Sequence, residues 1–265
     1  MLIRSFEEVF MNNARPKDVE RLRECGKLLA SFAQKVAEAA APGVSTLELD
    51  RIFTNLAADA GAETPFKGYR GYPAAICTSR NNVVVHGIPS ANDVLEEGDI
   101  LGLDVGLRLH GMVTDMAMTV PVGSVAAEDH KLLDVTREAL RRAVAFIRPG
   151  ITTGDLGAHI QKFVESQGFS VIRDLVGHGV GREIHEEPAI PNFGTPGKGP
   201  KFSAGMVIAI EPMVAAGKWQ IETMPDGWTV RTKDGLRAAH FEHTLYLQPH
   251  GTEILTTTGG GHPWP

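Results

Sequence analysis

Apolar residues recur three and four apart from Lys17 to Ala60, interrupted once at Ala41-Pro42-Gly43-Val44-Ser45, so this segment reads as helix, loop, helix. The arrangement returns in VTREALRRAVAFIRPGITTGDLGAHIQKFVESQGF. There Pro149-Gly150-Ile151-Thr152-Thr153 with Asp155-Leu156 repeats Pro42-Gly43-Val44-Ser45-Thr46 with Glu48-Leu49 at an offset of 107 residues. Between and after these helices the pattern changes to β-branched and aliphatic runs bounded by Gly, Pro or Asn: CTSRNNVVVHGI, GDILGLDVGLRL, GMVTDMAMTV, GMVIAIEPMV and AHFEHTLYL. These predict strands. PNFGTPGKGPKF is rich in turn formers and predicts a loop, and the tail TTTGGGHPWP carries no periodicity.

The offset persists into the strands. Gly98 maps to Gly205, Ile100, Leu101 and Leu103 map to Val207, Ile208 and Ile210, and Asp104 maps to Glu211. The expectation is an α+β chain forming a single domain over 1–265. Its halves, about 17–123 and 124–256, would pack as a pseudo-twofold pair with acidic residues meeting at the centre.

Composition narrows the class. With 265 residues, 43% of them hydrophobic, the chain can bury a sizeable core. The net charge of −6 comes from mixed signs without a basic run, so neither a nucleic-acid footprint nor a polybasic membrane patch is expected. The start, MLIRSFEEVFMNNARPKDVERLREC, is broken by charges too often for a signal peptide or a membrane span, which predicts a cytoplasmic protein. Cys25 and Cys77 are too few for a disulfide framework and are expected as free thiols.

Five residues stand out against apolar surroundings: Asp104, Asp115, His178, Glu211 and Glu242. Taken singly, each Asp also suits a turn or a buried cap, His178 a satisfied core histidine, and each Glu a buried ion pair. Jointly, four carboxylates in apolar strands would repel one another strongly unless divalent cations balanced them. Asp104 and Asp115 lie 11 residues apart in strands joined by a turn at His110-Gly111, so a hairpin would bring them together. His178 has Gly177 and Gly179 at its sides, which removes bulk around the imidazole. Oxygen-rich ligation with one imidazole admits Mn, Fe(II), Co or Zn and excludes a thiolate zinc site. His86 and His185 read either as ordinary surface or core histidines or, beside a metal pair, as hydrogen-bonding partners of a polarised substrate.

Several runs together resemble the type I methionine aminopeptidases: Gly68-Tyr69-Arg70-Gly71-Tyr72-Pro73, Asn81-Asn82-Val83-Val84-Val85-His86-Gly87-Ile88-Pro89, Gly177-His178-Gly179-Val180-Gly181, His185-Glu186-Glu187-Pro188, Ile210-Glu211-Pro212-Met213 and Phe241-Glu242-His243-Thr244. The resemblance spans roughly Lys17 to Thr256. It implies the pita-bread fold, two related halves around a central antiparallel β-sheet with helices outside, and a dinuclear metal centre. The family's ligands fall on Asp104, Asp115, His178, Glu211 and Glu242, with Asp115 and Glu242 bridging both ions. Only 33 residues separate His178 from Glu211, too few for the inserted subdomain of type II members.

By the same resemblance, Glu211 carries a proton from a metal-activated bridging water, His185 supports the oxyanion, and His86 contacts the scissile amide. The pocket for a methionine side chain falls on Tyr69, Tyr72, Cys77 and Trp228, with Phe66 and Ile184 beside it. Phe66 stands where many members have Cys, and Ile184 where many have Phe. The implied substrates are peptides and nascent polypeptides with N-terminal Met and a small second residue, met at the ribosome by a monomeric enzyme. Two other classes share the fold: an aminopeptidase P or prolidase-like Xaa-Pro hydrolase, which usually carries a further N-terminal domain, and a non-catalytic binding protein, which the full ligand set disfavours.

Overall fold

The computed structural model describes residues 14–258. The charged segment before Ala14 and the last seven residues of the Gly-rich tail lie outside the described residues. Four helices appear where the 3.6-residue period places them: α1 (Pro16–Ala39), α2 (Thr46–Asp59), α3 (Ala127–Phe146) and α4 (Thr153–Ser166). Pro16 opens α1, where its missing N–H is no loss. Ser45 caps α2 by accepting from the Glu48 N–H, and Thr152 and Asp155 cap α4 reciprocally. The apolar stripe of α1, with Leu22, Leu29, Phe32 and Val36, is buried, and Phe32 meets Phe53 of α2 edge to face at 6.3 Å.

The 107-residue offset is visible in the backbone. Helix α2 runs 46–59 and α4 runs 153–166; α1 ends at 39 and α3 at 146. The isolated bridges Ser45–Val94 and Thr152–Lys201 obey it too, as do the left-handed glycines Gly43 and Gly150, and Gly98 and Gly205. The same turns recur because the same residue types meet the same backbone demands.

All the strand pairs are antiparallel. In the first half Ile100–Leu109 pairs with Met112–Pro121 through a turn in which His110 and Gly111 are both left-handed, as a two-residue hairpin turn requires. Ile76–Arg80 lines the other edge of this hairpin. In the second half Val207–Ile210 lies between His243–Gln248 and Val176–Gly179; Gly251–Ile254 and Glu186–Pro191 complete five strands. Two three-stranded sheets, one built on Val83–Val85 and the other on Met213–Ala215 and Ala238–His240, close the remaining sides. Among the described residues the strands thus form four hydrogen-bonded groups rather than one unbroken ladder. Residues 192–206 hold the predicted loop without a strand or helix.

The halves are bonded at the middle. The N–H of Glu242 donates to the carbonyl of Ala117 at 2.9 Å. The hydroxyl of Thr244 accepts from the N–H of Asp115 at 2.9 Å and donates to its carbonyl at 2.7 Å.

Candidate metal centre

The hairpin register sets the first two carboxylates. Asp104 lies opposite Ala117 and Asp115 opposite Gly106, so the two acids are diagonal neighbours on one face rather than directly opposed. His178 comes from the strand beside Val207–Ile210, Glu211 follows that strand's end, and Glu242 immediately precedes His243–Gln248. The five lie along one cavity of about 420 Å³.

The histidine is oriented before any ligand arrives. Its Nδ1–H donates to the Gly179 carbonyl at 2.9 Å, leaving Nε2 with a lone pair that faces Glu211 Oε1 at 3.5 Å and Asp115 Oδ2 at 3.9 Å. The flanking glycines serve packing as well as access. A Cβ on Gly177 would lie 2.5 Å from the carbonyl oxygen of Ala209, and one on Gly179 would run into the carbonyl of Glu187. Only glycine lets the neighbouring strands close on His178 from both sides.

Electrostatically the cluster is costly without cations. Burial pushes Asp104 up to about 7, an effect the His240 imidazole reduces and Glu211 adds to, and burial raises Glu211 to about 8. Asp115 and Glu242 are held well above the carboxylate range, first by burial and then by the neighbouring acids. The histidines move the other way: burial lowers His178 to about 3 and His86 to about 4, and lowers His185 as well. One oxygen each of Asp104, Asp115 and Glu242 is buried without a hydrogen-bond partner. Neutral imidazole, orphaned carboxylate oxygens and mutual repulsion together fit divalent cations. Asp115, His178 and Glu242 converge as one candidate ligand group, and Glu211, His240 and Glu242 as another.

The remaining wall divides by chemistry. Phe66, Tyr69, Tyr72, Cys77, Trp228 and His86 line the cavity, as does His185. The rings of Tyr72 and Trp228 meet edge-on at 5.1 Å, His86 stands 6.3 Å from Trp228, and His185 stacks at a tilt against both Tyr69 and His178. Ile184, expected beside the pocket, is not on the wall. It is buried in a core cluster with Leu22, Val113 and Val207, behind Phe66 and Tyr69. Its neighbour His185 turns toward the cavity, while Ile184 packs inward.

Sequence reading missed Arg70, Val85, Leu175, Val176 and Met213 on the wall, and Asp174 at its edge. Val85, Val176 and Met213 come from apolar runs that look like any other core strand. It also missed His240. An imidazole two residues before Glu242 was the available signal, since alternate residues of an extended segment share a face.

The model of metallopeptidase family M24 matches residues 20–249. The methionine aminopeptidase of Clostridium perfringens is 45% identical over 241 residues, covering 90% of this chain and 96% of that protein. The crystal structure of methionine aminopeptidase from Thermotoga maritima superposes with a TM-score of 0.91 at 44% identity, covering 93% of this chain and 99% of that one. The prolidase of Pyrococcus furiosus, at 23% identity and a TM-score of 0.75 over 93% of this chain and 65% of its own, shares the fold. A ligand-type cluster at the junction of two repeat-related halves and a match through nearly the whole chain lead to one conclusion: this chain belongs to metallopeptidase family M24.

Proposed function

We propose that this chain removes N-terminal methionine from peptides and nascent proteins whose second residue is small. The observation carrying the reading is the single cavity in which the five ligand-type residues adjoin an apolar recess of Phe66, Tyr72, Cys77 and Trp228. A thioether side chain is flexible, polarisable and without strong hydrogen-bonding needs, which suits such a recess. Identity of 45% to a methionine aminopeptidase over most of both chains supports it further.

Asp104, Asp115, His178, Glu211 and Glu242 would hold two divalent ions, Mn, Fe(II), Co or Zn. The ions would supply activation of a water at neutral pH and polarisation of the scissile carbonyl. Glu211 would move the proton, because its carboxylate borders the cavity beside the other ligand-type residues. His86 and His185, kept neutral by burial, can each donate or accept a hydrogen bond. His86 sits against Trp228 and so faces the amide beside the methionine recess, while His185, beside His178, supports the developing oxyanion. The carboxylates also favour a free α-amino group, which restricts cleavage to the chain's end.

Among the described residues no helix is long and apolar enough to cross a membrane. The reading places the enzyme in the cytoplasm as a monomer acting near the ribosome. The deciding experiment incubates the metal-loaded protein with Met-Ala-Ser, Met-Lys-Ser and Ala-Pro-Ser. Cleavage of the first alone is expected. Preference for Ala-Pro-Ser would replace the reading with an Xaa-Pro hydrolase, and no cleavage with any of the four metals would favour a binding protein.

A further inference from the structure

The two halves share more than helices and turns. Gly102 and Ala209 are related by the 107-residue offset, and they pair with Thr119 and Thr244 respectively. Likewise Gly106 and Met213 are related by that offset, and they pair with Asp115 and His240. His240 is therefore the counterpart, in the second half, of Asp115 in the first.

The backbone is clamped in the same way at both places. Thr244 bonds the N–H and the carbonyl of Asp115, and Thr119 bonds the N–H and the carbonyl of His240, both at 2.9 Å. Each threonine belongs to the opposite half, so each clamp fixes a residue at the junction.

The His240 ring is buried, 3% exposed, and its Nε2 has no hydrogen-bond partner. That nitrogen stands 3.4 Å from Glu211 Oε2 and 3.9 Å from Glu242 Oε2. Unlike the five ligand-type residues, His240 does not line the cavity. Glu211 is thus bracketed, with His178 at Oε1 on the cavity side and His240 at Oε2 behind it. An imidazole buried there for packing alone would carry a desolvation cost that leucine avoids.

We infer that His240 is a positioning residue: its Nε2, otherwise without a partner and 3.4 Å from Oε2 of Glu211, is placed to donate to that oxygen from behind the cavity, leaving Oε1 for the metal-binding group formed with His178. It acts as the outer support of a ligating carboxylate, the role hydrogen-bonded partners play around metal ligands generally. The inference rests on the metallopeptidase reading of the five residues and on no particular substrate.

The test compares His240→Gln, His240→Asn and His240→Leu in the full-length chain. Glutamine can reach Glu211 with an N–H, asparagine is polar but stops short, and leucine keeps only the bulk. Metal-free protein is titrated with Mn(II) by calorimetry, and kcat and KM for Met-Ala-Ser are measured at saturating Mn(II). Affinity for Mn(II) should fall about tenfold or more in the Asn and Leu variants and stay within about threefold in the Gln variant. In the same two variants kcat should fall while KM changes less than about twofold. Equal affinities for the Asn and Gln variants would overturn the inference, whether or not the Leu variant folds. So would a second imidazole in the Co(II) coordination shell by X-ray absorption, which would make His240 a ligand. Failure of the wild type to cleave the peptide would count against the proposed substrate, while the Mn(II) affinities would still decide the role of His240.

Discussion

His178 spends its Nδ1–H on the carbonyl of Gly179, the next residue in the chain, at 2.9 Å. This local bond selects the tautomer and aims the Nε2 lone pair at the carboxylates, so the imidazole is oriented as a metal ligand would need to be. His178→Ala should weaken Mn(II) binding by more than the 10–100-fold typical of outer-shell losses. Calorimetry on the metal-free variant checks this, and an unchanged affinity would remove His178 from the ligand set.

Thr244 is predicted to matter for stability as well as for the site. Replacing it by valine leaves the N–H and the carbonyl of Asp115 buried without the hydroxyl. At about 1–3 kcal/mol for each of the two orphaned groups, Thr244→Val should lose about 2–6 kcal/mol. Thr244→Ser keeps the hydroxyl and should lose less than about 1.5 kcal/mol, the scale of one buried methyl. Urea denaturation of the metal-free proteins measures both; a larger loss in the Ser variant than in the Val variant would mean that the methyl, not the clamp, carries the effect.

How far the sequence was legible follows from the range of each interaction. Helix bounds and caps are local, and the repeat of Pro42-Gly43 in Pro149-Gly150 was readable because the same turn needs the same residues. The ligand-type residues stood out because Asp115 and Glu242 contradict their apolar neighbours. Ile184 packs behind Phe66 and Tyr69 rather than on the wall, and neither composition nor resemblance reveals on which side of an irregular segment a side chain falls. His240 went unseen for a different reason. Its spacing of two from Glu242 was the one local signal, and its significance rests on the pairing with Met213 and the clamp by Thr119, contacts spanning 27 and 121 positions.

The two cysteines should prove inert. Burial raises Cys25 to about 11 and lifts Cys77 well above the ordinary thiol range, with Asp104 adding to the shift at Cys77. Thiolate is the reactive form, so neither should be alkylated in native protein at pH 7.5, although Cys77 borders the cavity. Intact mass after iodoacetamide treatment should show no adduct until denaturant is added. An adduct on Cys77 in native protein would mean that the recess opens more widely than this structure shows.

Acidic and imidazole groups make opposite demands on pH. Asp104 at about 7 and Glu211 at about 8 hold protons that an unfolded chain releases near pH 4. Between those values the folded metal-free protein binds more protons than the unfolded one, so these carboxylates lower stability as pH rises. His178 at about 3 and His86 and His240 at about 4 work in the reverse sense. They are neutral when folded and would charge near 6.5 when unfolded, so their contribution rises with pH up to about 6.5 and then stops. Above that point only the carboxylates still titrate, and the Tm of the metal-free protein should fall from pH 6.5 to 8. Divalent ions displace the same protons, so the rise in Tm on adding Mn(II) should grow across this interval. Thermal scans in chelator and in Mn(II) at several pH values test both trends. A metal-free Tm that is flat or rising from 6.5 to 8 would show that the carboxylates are already ionised at neutral pH without cations.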